Sequence, residues 1–463
     1  MKVLLVNPRE KGNINTRLPE SLNRAQGVYQ PLGASYIAAV LEGDGHEVGI
    51  LDIPAENLTV DEARDRISRF RPDVVGVTAM TSTLRGALEA ARLGKDAGAT
   101  VVIGGPQMSV YPGETLSYDY VDYGVVGEGE YVMRELISAL QAGSEAKIPG
   151  LVRRIGGKVV VDGGYGLVAD LDALPSPARH LLPMDKYYCA ITDRKFTTIV
   201  SSRGCPYKCG FCFKQPCDSH PRYRSPGKVV DEMEECVRKY GTKWFMFYDD
   251  TIGVRREHLS GICEEIIGRG LDIKWESPIR VNNVDEELLK LMRKAGCVRL
   301  RYGVESGDEG ILRLMRKGIT PGQVREVFKR TREAGIETFG YFIIGYAHEN
   351  PSTMRRTIDF AKELEPDWVM FTLATPYPRT HLYDLAVEAG LVVGDYWRDF
   401  TLGKDMPRIP YFVDGADEWV KRAYREFYIR PGYILRKLSK LNSLDMLRLY
   451  ANGAKGIISF DMN

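Results

Sequence analysis

Between residues 1 and 141, short β-branched runs recur at Val3–Val6, Val48–Leu51, Val74–Val77, Val101–Ile103 and Val121–Val126. Each run is mostly continuous in hydrophobicity rather than alternating, the pattern of strands buried on both faces. Stretches of helical period separate them, at Ala34–Leu41, Val60–Phe70 and Leu84–Ala97. The βαβα order predicts an α/β fold with a doubly wound parallel sheet. Ligands of such sheets sit beyond the carboxyl ends of the strands, which here read Asn7-Pro8, Asp52, Thr78–Thr83, Gly104-Gly105-Pro106 and Gly127-Glu128-Gly129.

Residues 142–190 lose this periodicity and carry Pro149-Gly150, Gly156-Gly157, Gly163-Gly164, Pro175 and Pro177, with a short strand-like Lys158–Val161. They read as a linker. A second alternating series then begins, with strands expected at Thr197–Ser201, Trp244–Tyr248, Ile273–Trp275, Val298–Tyr302, Phe339–Ile344 and Trp368–Leu373. Helical segments are expected at 227–240, 257–269, 285–295, 308–316, 321–334 and 352–364. Six β/α units over 191–385 fall short of the eight that close a full barrel, so a partial (β/α)6 barrel is predicted. From 386 to 463 the pattern is helical and irregular.

Composition narrows the functional classes. With 63 basic and 62 acidic residues the net charge is +1, which gives no global field for nucleic-acid binding. Eight cysteines (189, 205, 209, 212, 217, 236, 263, 297) are few for 463 residues, and no secretory signal precedes Val3–Val6. The expectation is a reducing cytoplasm. No apolar stretch approaches the roughly 18–20 residues that span a bilayer. Residues 420–463 hold nine Lys or Arg and three acids, interleaved with Tyr424, Phe427, Tyr428, Tyr433, Ile434, Leu435, Leu438 and Leu441. Such a stretch covers the protein itself or makes a peripheral contact with an anionic membrane.

The densest chemistry is Cys205-Pro206-Tyr207-Lys208-Cys209-Gly210-Phe211-Cys212, just after the first strand of the second series and preceded by Gly204. Soft thiolates suit zinc or an iron–sulfur centre. A structural zinc site wants four ligands, for which only Cys217 and His220 lie near. Three thiolates on a [4Fe–4S] cluster leave one iron open to bind substrate. Cys236, Cys263 and Cys297 fall within apolar patterns and read as buried small hydrophobes.

This loop resembles that of the radical S-adenosylmethionine (SAM) superfamily, whose CxxxCxxC motif with an aromatic before the last cysteine is matched by Cys205, Cys209, Phe211 and Cys212. Tyr248-Asp249-Asp250, Arg280, Gly303-Val304-Glu305-Ser306-Gly307, Phe342–Gly345 and Thr375-Pro376-Tyr377-Pro378 extend the resemblance over roughly 195–385. It implies that Glu305 contacts the SAM ribose, and that Arg280 with Asp249 and Asp250 meets the carboxylate and amine ends. It also implies that Phe211 and Gly345 belong to the SAM site. One departure is Gly345-Tyr346-Ala347-His348-Glu349, where the family often reads Gly-Leu-Pro-Gly-Glu; it puts a histidine at the barrel rim.

The first 141 residues, taken with this arrangement, resemble the Rossmann-like cobalamin-binding domain of B12-dependent radical SAM enzymes. The matching pieces are Pro31-Leu32-Gly33, Gly45-His46-Glu47-Val48, Thr81-Ser82-Thr83, Gly104-Gly105-Pro106 and Val126-Gly127-Glu128-Gly129-Glu130. The resemblance implies cobalamin contacts at Leu32, Met80, Thr81, Ser82, Thr83, Gly104, Gly105, Gln107, Gly127, Glu128 and Gly129, with Met80 and Gln107 either facing the corrin or serving the core. No Asp-x-His-x-x-Gly occurs, so the implied cobalamin is base-off without a protein histidine ligand.

The activity implied is methylation of an unactivated carbon through a 5′-deoxyadenosyl radical and methylcobalamin, with two SAM consumed per turnover. A B12-containing radical cyclase or oxidase without methyl transfer is the alternative. The implied partners are a small-molecule or peptide substrate and an external donor of flavodoxin or ferredoxin type, without nucleic acid.

Overall fold

A computed structural model describes residues 1–9, 27–145, 147–189, 195–405 and 409–439. The first sheet holds β1 (Lys2–Asn7), β2 (Glu47–Asp52), β3 (Val74–Thr78), β4 (Thr100–Gly104), β5 (Tyr123–Val125), β6 (Leu151–Ile155) and β7 (Lys158–Val161). Their spatial order is β2-β1-β3-β4-β5-β6-β7, with β1 to β5 parallel. The continuous hydrophobic runs have the reason expected of them, since both faces are covered. Leu4, Val6, Val75, Val77, Val101 and Ile103 pack with the helices Val60–Phe70 and Leu84–Asp96. Val3, Leu5, Val74, Val102 and Val125 pack with Leu32–Gly43 and Glu130–Ala142.

The stretch read as a linker does more than connect. β6 and β7 form an antiparallel hairpin that extends the sheet from β5. Gly156 and Gly157, both at positive φ, are its two-residue turn, the geometry that matches strand twist. Farther on, Arg179 is buried, donating to the Thr198 carbonyl at 2.7 Å and pairing with Glu232 at 2.6 Å.

The second sheet contains β8 (Thr197–Ile199), while β9 (Ser202–Arg203) and β10 (Arg222–Tyr223) form a small antiparallel pair beside it. β11 (Trp244–Phe247), β12 (Lys274–Ile279), β13 (Cys297–Glu305), β14 (Glu337–Ile344) and β15 (Trp368–Leu373) complete it. Its six strands run β8-β11-β12-β13-β14-β15, all parallel, in an open arc. Trp275, Phe247, Leu300, Phe328 and Ile358 belong to the core between this arc and its outer helices.

An open arc leaves β15 as an edge whose backbone groups need partners. The helices Ala416–Tyr428 and Pro431–Leu438 supply them. The Phe371 amide donates to Tyr424 Oη at 3.2 Å, and Tyr428 Oη takes the Val369 amide at 3.0 Å while donating to its carbonyl at 2.8 Å. Tyr433 Oη reaches the Asp367 carbonyl at 3.0 Å. The tyrosines of the basic C-terminal stretch thus bond to the barrel edge, while its Ile434, Leu435 and Leu438 are exposed and residues 440–463 lie outside the described ones. Among the described residues no helix is long and apolar enough to cross a membrane.

Glu426 anchors this cap through Arg355 at 2.7 Å, Lys362 at 2.9 Å and Arg422 at 2.7 Å. The Arg355 hydrogen bonds, with those from Lys362 and Arg422, hold its carboxyl down at about 2, against the opposing effect of burial. Its stabilising effect is thus complete above the ordinary glutamate range and fades as pH falls toward 2. Glu426→Gln is expected to cost roughly 1–2 kcal/mol at pH 7, discounted for partial exposure. In urea titrations the gap between variant and parent should close as pH falls from about 4.5 to about 2. A gap independent of pH would contradict this.

Candidate functional site

The three-cysteine loop leaves the barrel through a neck. β9 and β10 pair Arg203 with Arg222 and Ser202 with Tyr223, drawing residues 204–221 into a closed excursion. Gly204 makes the bend at φ +94°, where a Cβ would come within 2.8 Å of the Asp218 carbonyl. The Cys205 amide donates to that carbonyl at 2.7 Å, and Lys214 Nζ donates to the carbonyls of Cys205 (2.7 Å) and Tyr207. The tip is tied from outside, the Gly210 amide donating to Met315 O at 2.9 Å and the Leu382 amide to Gly210 O at 2.8 Å.

Cys205, Cys209 and Cys212 are free thiols, the first two half-buried and the third exposed. Among the described residues no three His, Cys, Asp or Glu side chains stand together as a metal cage, so the donor set carries the assignment. Three soft thiols within eight residues fit an iron–sulfur cluster. Of the two residues that would complete a zinc site, His220 contacts Ser219 Oγ at 3.0 Å, and the Cys217 side chain lies outside the described ones.

Arg280 comes to this loop from the end of β12. Its Nη1 donates to Cys209 Sγ at 3.3 Å, its Nη2 donates to the Lys317 carbonyl, and its guanidinium lies 3.7 Å from the Tyr207 ring centroid. Glu305 ends β13 at φ +69°, after a register shift against β14 between Gly303 and Glu305. It pairs with Lys317 Nζ at 2.7 Å, with both side chains buried. Lys317 Nζ also lies 5.7 Å from the centroid of Phe211, so one lysine joins Phe211, Glu305 and, through its carbonyl, Arg280. Sequence reasoning missed it, because a lysine in a polar turn after a helix carries no signal of its own.

The two aspartates part company. Asp250 is exposed and accepts the Gly204 amide at 2.9 Å, bracing the loop. Asp249 is buried, taking the Ser201 amide at 2.9 Å and Ser201 Oγ at 2.6 Å together with Ser202 Oγ. Burial pushes its carboxyl up and these hydrogen bonds pull it back. Asp249 thereby ties the end of β11 to the chain between β8 and β9.

At the end of β14, Gly345 turns at φ +79°, and its amide and that of Tyr346 donate to Glu349 Oε2 at 2.7 and 2.9 Å. Burial pushes Glu349 up to about 7, with the two amides opposing. The turn is therefore held by a glutamate across the stretch where the family motif departs. His348 follows at φ +65°, exposed at the rim.

The carboxyl ends of the first sheet divide the implied cobalamin contacts. Met80 protrudes, 51% exposed, with its amide capped by Thr83 Oγ1 at 3.1 Å. Thr81 and Thr83 are buried and Ser82 is half-buried. Gly104 is half-buried, with little in reach of a Cβ there, whereas a Cβ at Gly105 would meet the Ala79 carbonyl at 2.6 Å. An apolar Met80 beside open backbone at Gly104 fits the face of a corrin. Leu32 is buried at the start of its helix, and Gly129 caps Glu130–Ala142 against Ile37.

Three of the implied contacts meet partners within the chain. Gln107 is fully buried and donates to Thr115 Oγ1 at 3.2 Å and Thr401 Oγ1 at 3.1 Å, which turns it toward the C-terminal region. Gly127 bridges to Gly166, where a Cβ would stand 2.4 Å from the Gly166 carbonyl, so its close approach serves the chain itself. Glu128 faces the barrel, with Arg222 on both oxygens at 2.8 Å, Arg203 at 3.2 Å and the Val168 amide at 2.6 Å. Glu130 adds Arg203 at 2.6 Å. These carboxylates clamp the end of β5 to the neck of the cysteine loop.

No histidine occurs in the loops that follow β1 to β5. His46 lies before β2, 3.4 Å from the Met1 amino group, and the other five histidines follow residue 179.

Residues 22–137 match the B12 binding domain family model, and residues 199–361 match the Radical SAM superfamily model. An uncharacterized methyltransferase of Pyrococcus horikoshii is 34% identical over 446 residues, covering 95% of this chain and 95% of its own. The anaerobic magnesium-protoporphyrin IX monomethyl ester cyclase of Rubrivivax gelatinosus is 30% identical over 77% of this chain and 66% of its own. The radical SAM methyltransferase TsrM of Kitasatospora setae, solved with cobalamin and a [4Fe-4S] cluster, superimposes with a TM-score of 0.74 at 18% identity, over 99% of this chain and 98% of its own. With both modules present in this order and a relative matched almost end to end, the chain belongs to the cobalamin-dependent radical SAM family.

Proposed function

We propose that the chain is a C-methyltransferase that transfers a SAM-derived methyl group to an unactivated carbon and consumes two SAM per turnover. The observation that carries this reading is the clamp of Glu128 and Glu130 on Arg203 and Arg222, which fixes the carboxyl end of β5 beside the three-cysteine loop. Methyl transfer to a carbon activated by a radical made at the cluster would need such adjacency. When bound, the cluster supplies the electron that splits SAM to a 5′-deoxyadenosyl radical, and cobalamin carries the methyl group.

The chain's own residues bind and position. Cys205, Cys209 and Cys212 would hold the cluster. Lys317 fixes the Glu305 carboxylate for the SAM ribose, Phe211 lies against that lysine, and the Gly345 turn is braced by Glu349. Asp250 holds the base of the loop. Met80, Thr81–Thr83 and Gly104 would receive cobalamin. The substrate is a small molecule or peptide, and the electron comes from a donor of flavodoxin or ferredoxin type. The similarity to the magnesium-protoporphyrin ester cyclase favours ring formation as the second reading.

The test is to count both adenosyl coproducts in reductant and SAM with a metabolite extract as the substrate pool. The methyltransferase yields 5′-deoxyadenosine and S-adenosylhomocysteine in near-equal amounts, whereas a cyclase yields the nucleoside alone.

Cobalamin is proposed to bind base-off with no protein imidazole, since no histidine occurs in the loops that follow β1 to β5. The cob(II)alamin electron paramagnetic resonance spectrum is expected to lack nitrogen superhyperfine splitting. A resolved nitrogen splitting would contradict it.

A further inference from the structure

We propose that Arg280 sets the reduction potential of the cluster held by Cys205, Cys209 and Cys212, by donating from Nη1 to the Cys209 sulfur. The inference rests on the reading of this loop as a cluster site and goes beyond it, since the resemblance assigns Arg280 to SAM. The guanidinium is fixed by the chain itself, independently of SAM. Nη1 reaches Cys209 Sγ at 3.3 Å, Nε reaches Asn282 Oδ1 at 3.3 Å, and Nη2 meets the Lys317 carbonyl. The Tyr207 ring forms a shelf 3.7 Å beneath it, and Tyr207 Oη in turn donates to Asn283 Oδ1.

Arg280 is buried, and a guanidinium carries a permanent charge. A fixed cation beside a cluster sulfur favours the state with the extra electron, and hydrogen bonds to the sulfurs are among the factors that set such potentials. The step concerned is the uptake of one electron by the cluster from a one-electron reductant, with no bond made or broken.

The test uses the full chain reconstituted with iron and sulfide, without SAM, in a redox titration followed by electron paramagnetic resonance. Arg280→Gln with a full iron and sulfide complement is expected to have a more negative midpoint. The change should be on the order of tenfold in the reduction equilibrium, about 59 mV for one electron. Tyr207→Leu, which removes the ring beneath the guanidinium, should shift the midpoint in the same direction by less.

An Arg280→Gln protein with a full cluster, an unchanged SAM-free midpoint and weakened SAM binding would overturn the proposal and leave Arg280 as a SAM contact. If Arg280→Gln does not load, Tyr207→Leu decides, and a loaded protein with the parental midpoint overturns it. A parent chain that takes up no iron or sulfide overturns the cluster reading instead.

Discussion

A chain carrying Cys205→Ala, Cys209→Ala and Cys212→Ala is expected to bind no iron and cleave no SAM while keeping the far-ultraviolet dichroism of the parent. Folding survives because the loop is not held by its sulfurs. Its neck is the β9–β10 pair, its base is braced by Asp250 and Asp218, and its tip is tied to Met315 and Leu382. None of the three thiols fills the core, in contrast to Cys236, Cys263 and Cys297, which are buried within it. Cys297→Ala should therefore do the reverse, costing stability through a core cavity while leaving iron in place. Anaerobically isolated parent protein with zinc and no sulfide would contradict the account, as would iron retained by the triple variant.

The second large effect is expected at Glu128. Its carboxylate is mostly buried, takes Arg222 on both oxygens and Arg203 on one, and is held below the ordinary range; burial opposes that shift, while Arg222 and Arg203 drive it. Glu128→Ala strips Arg222 of its carboxylate, while Arg203 keeps Glu130. Removing one partner of a buried pair costs about 3–5 kcal/mol. Because these contacts join the two sheets, the loss should fall on their coupling, and a single calorimetric transition should broaden or split. Pairing the change with Arg222→Ala should recover part of the loss, since the stranded cation is then gone. An unchanged transition with weakened cobalamin binding would instead return Glu128 to the cofactor.

What the sequence made legible follows from range. The parallel strands were readable because burial on both faces writes itself into consecutive residues such as Val74–Val77. The cysteine loop was readable because its ligands lie within eight positions. The β6–β7 hairpin was missed as a sheet extension because Lys158–Val161 is largely exposed and has no hydrophobic face to advertise. The partners of Gln107 and Glu128 within the chain, Thr401 and Arg222, were not legible because they lie far along it. Local pattern holds no trace of such a pairing. Lys317 escaped for the same reason, since its meaning comes only from Glu305, Phe211 and Arg280 meeting it in space.

The central claim, methyl transfer by this two-module chain, is tested most directly with SAM deuterated in its methyl group. Holoenzyme, a one-electron reductant and a metabolite extract are incubated together, and the products are followed by mass spectrometry. The expected result is a product carrying the deuterated methyl group, formed together with 5′-deoxyadenosine and S-adenosylhomocysteine. Formation of 5′-deoxyadenosine with an unlabelled, cyclised or oxidised product would contradict it.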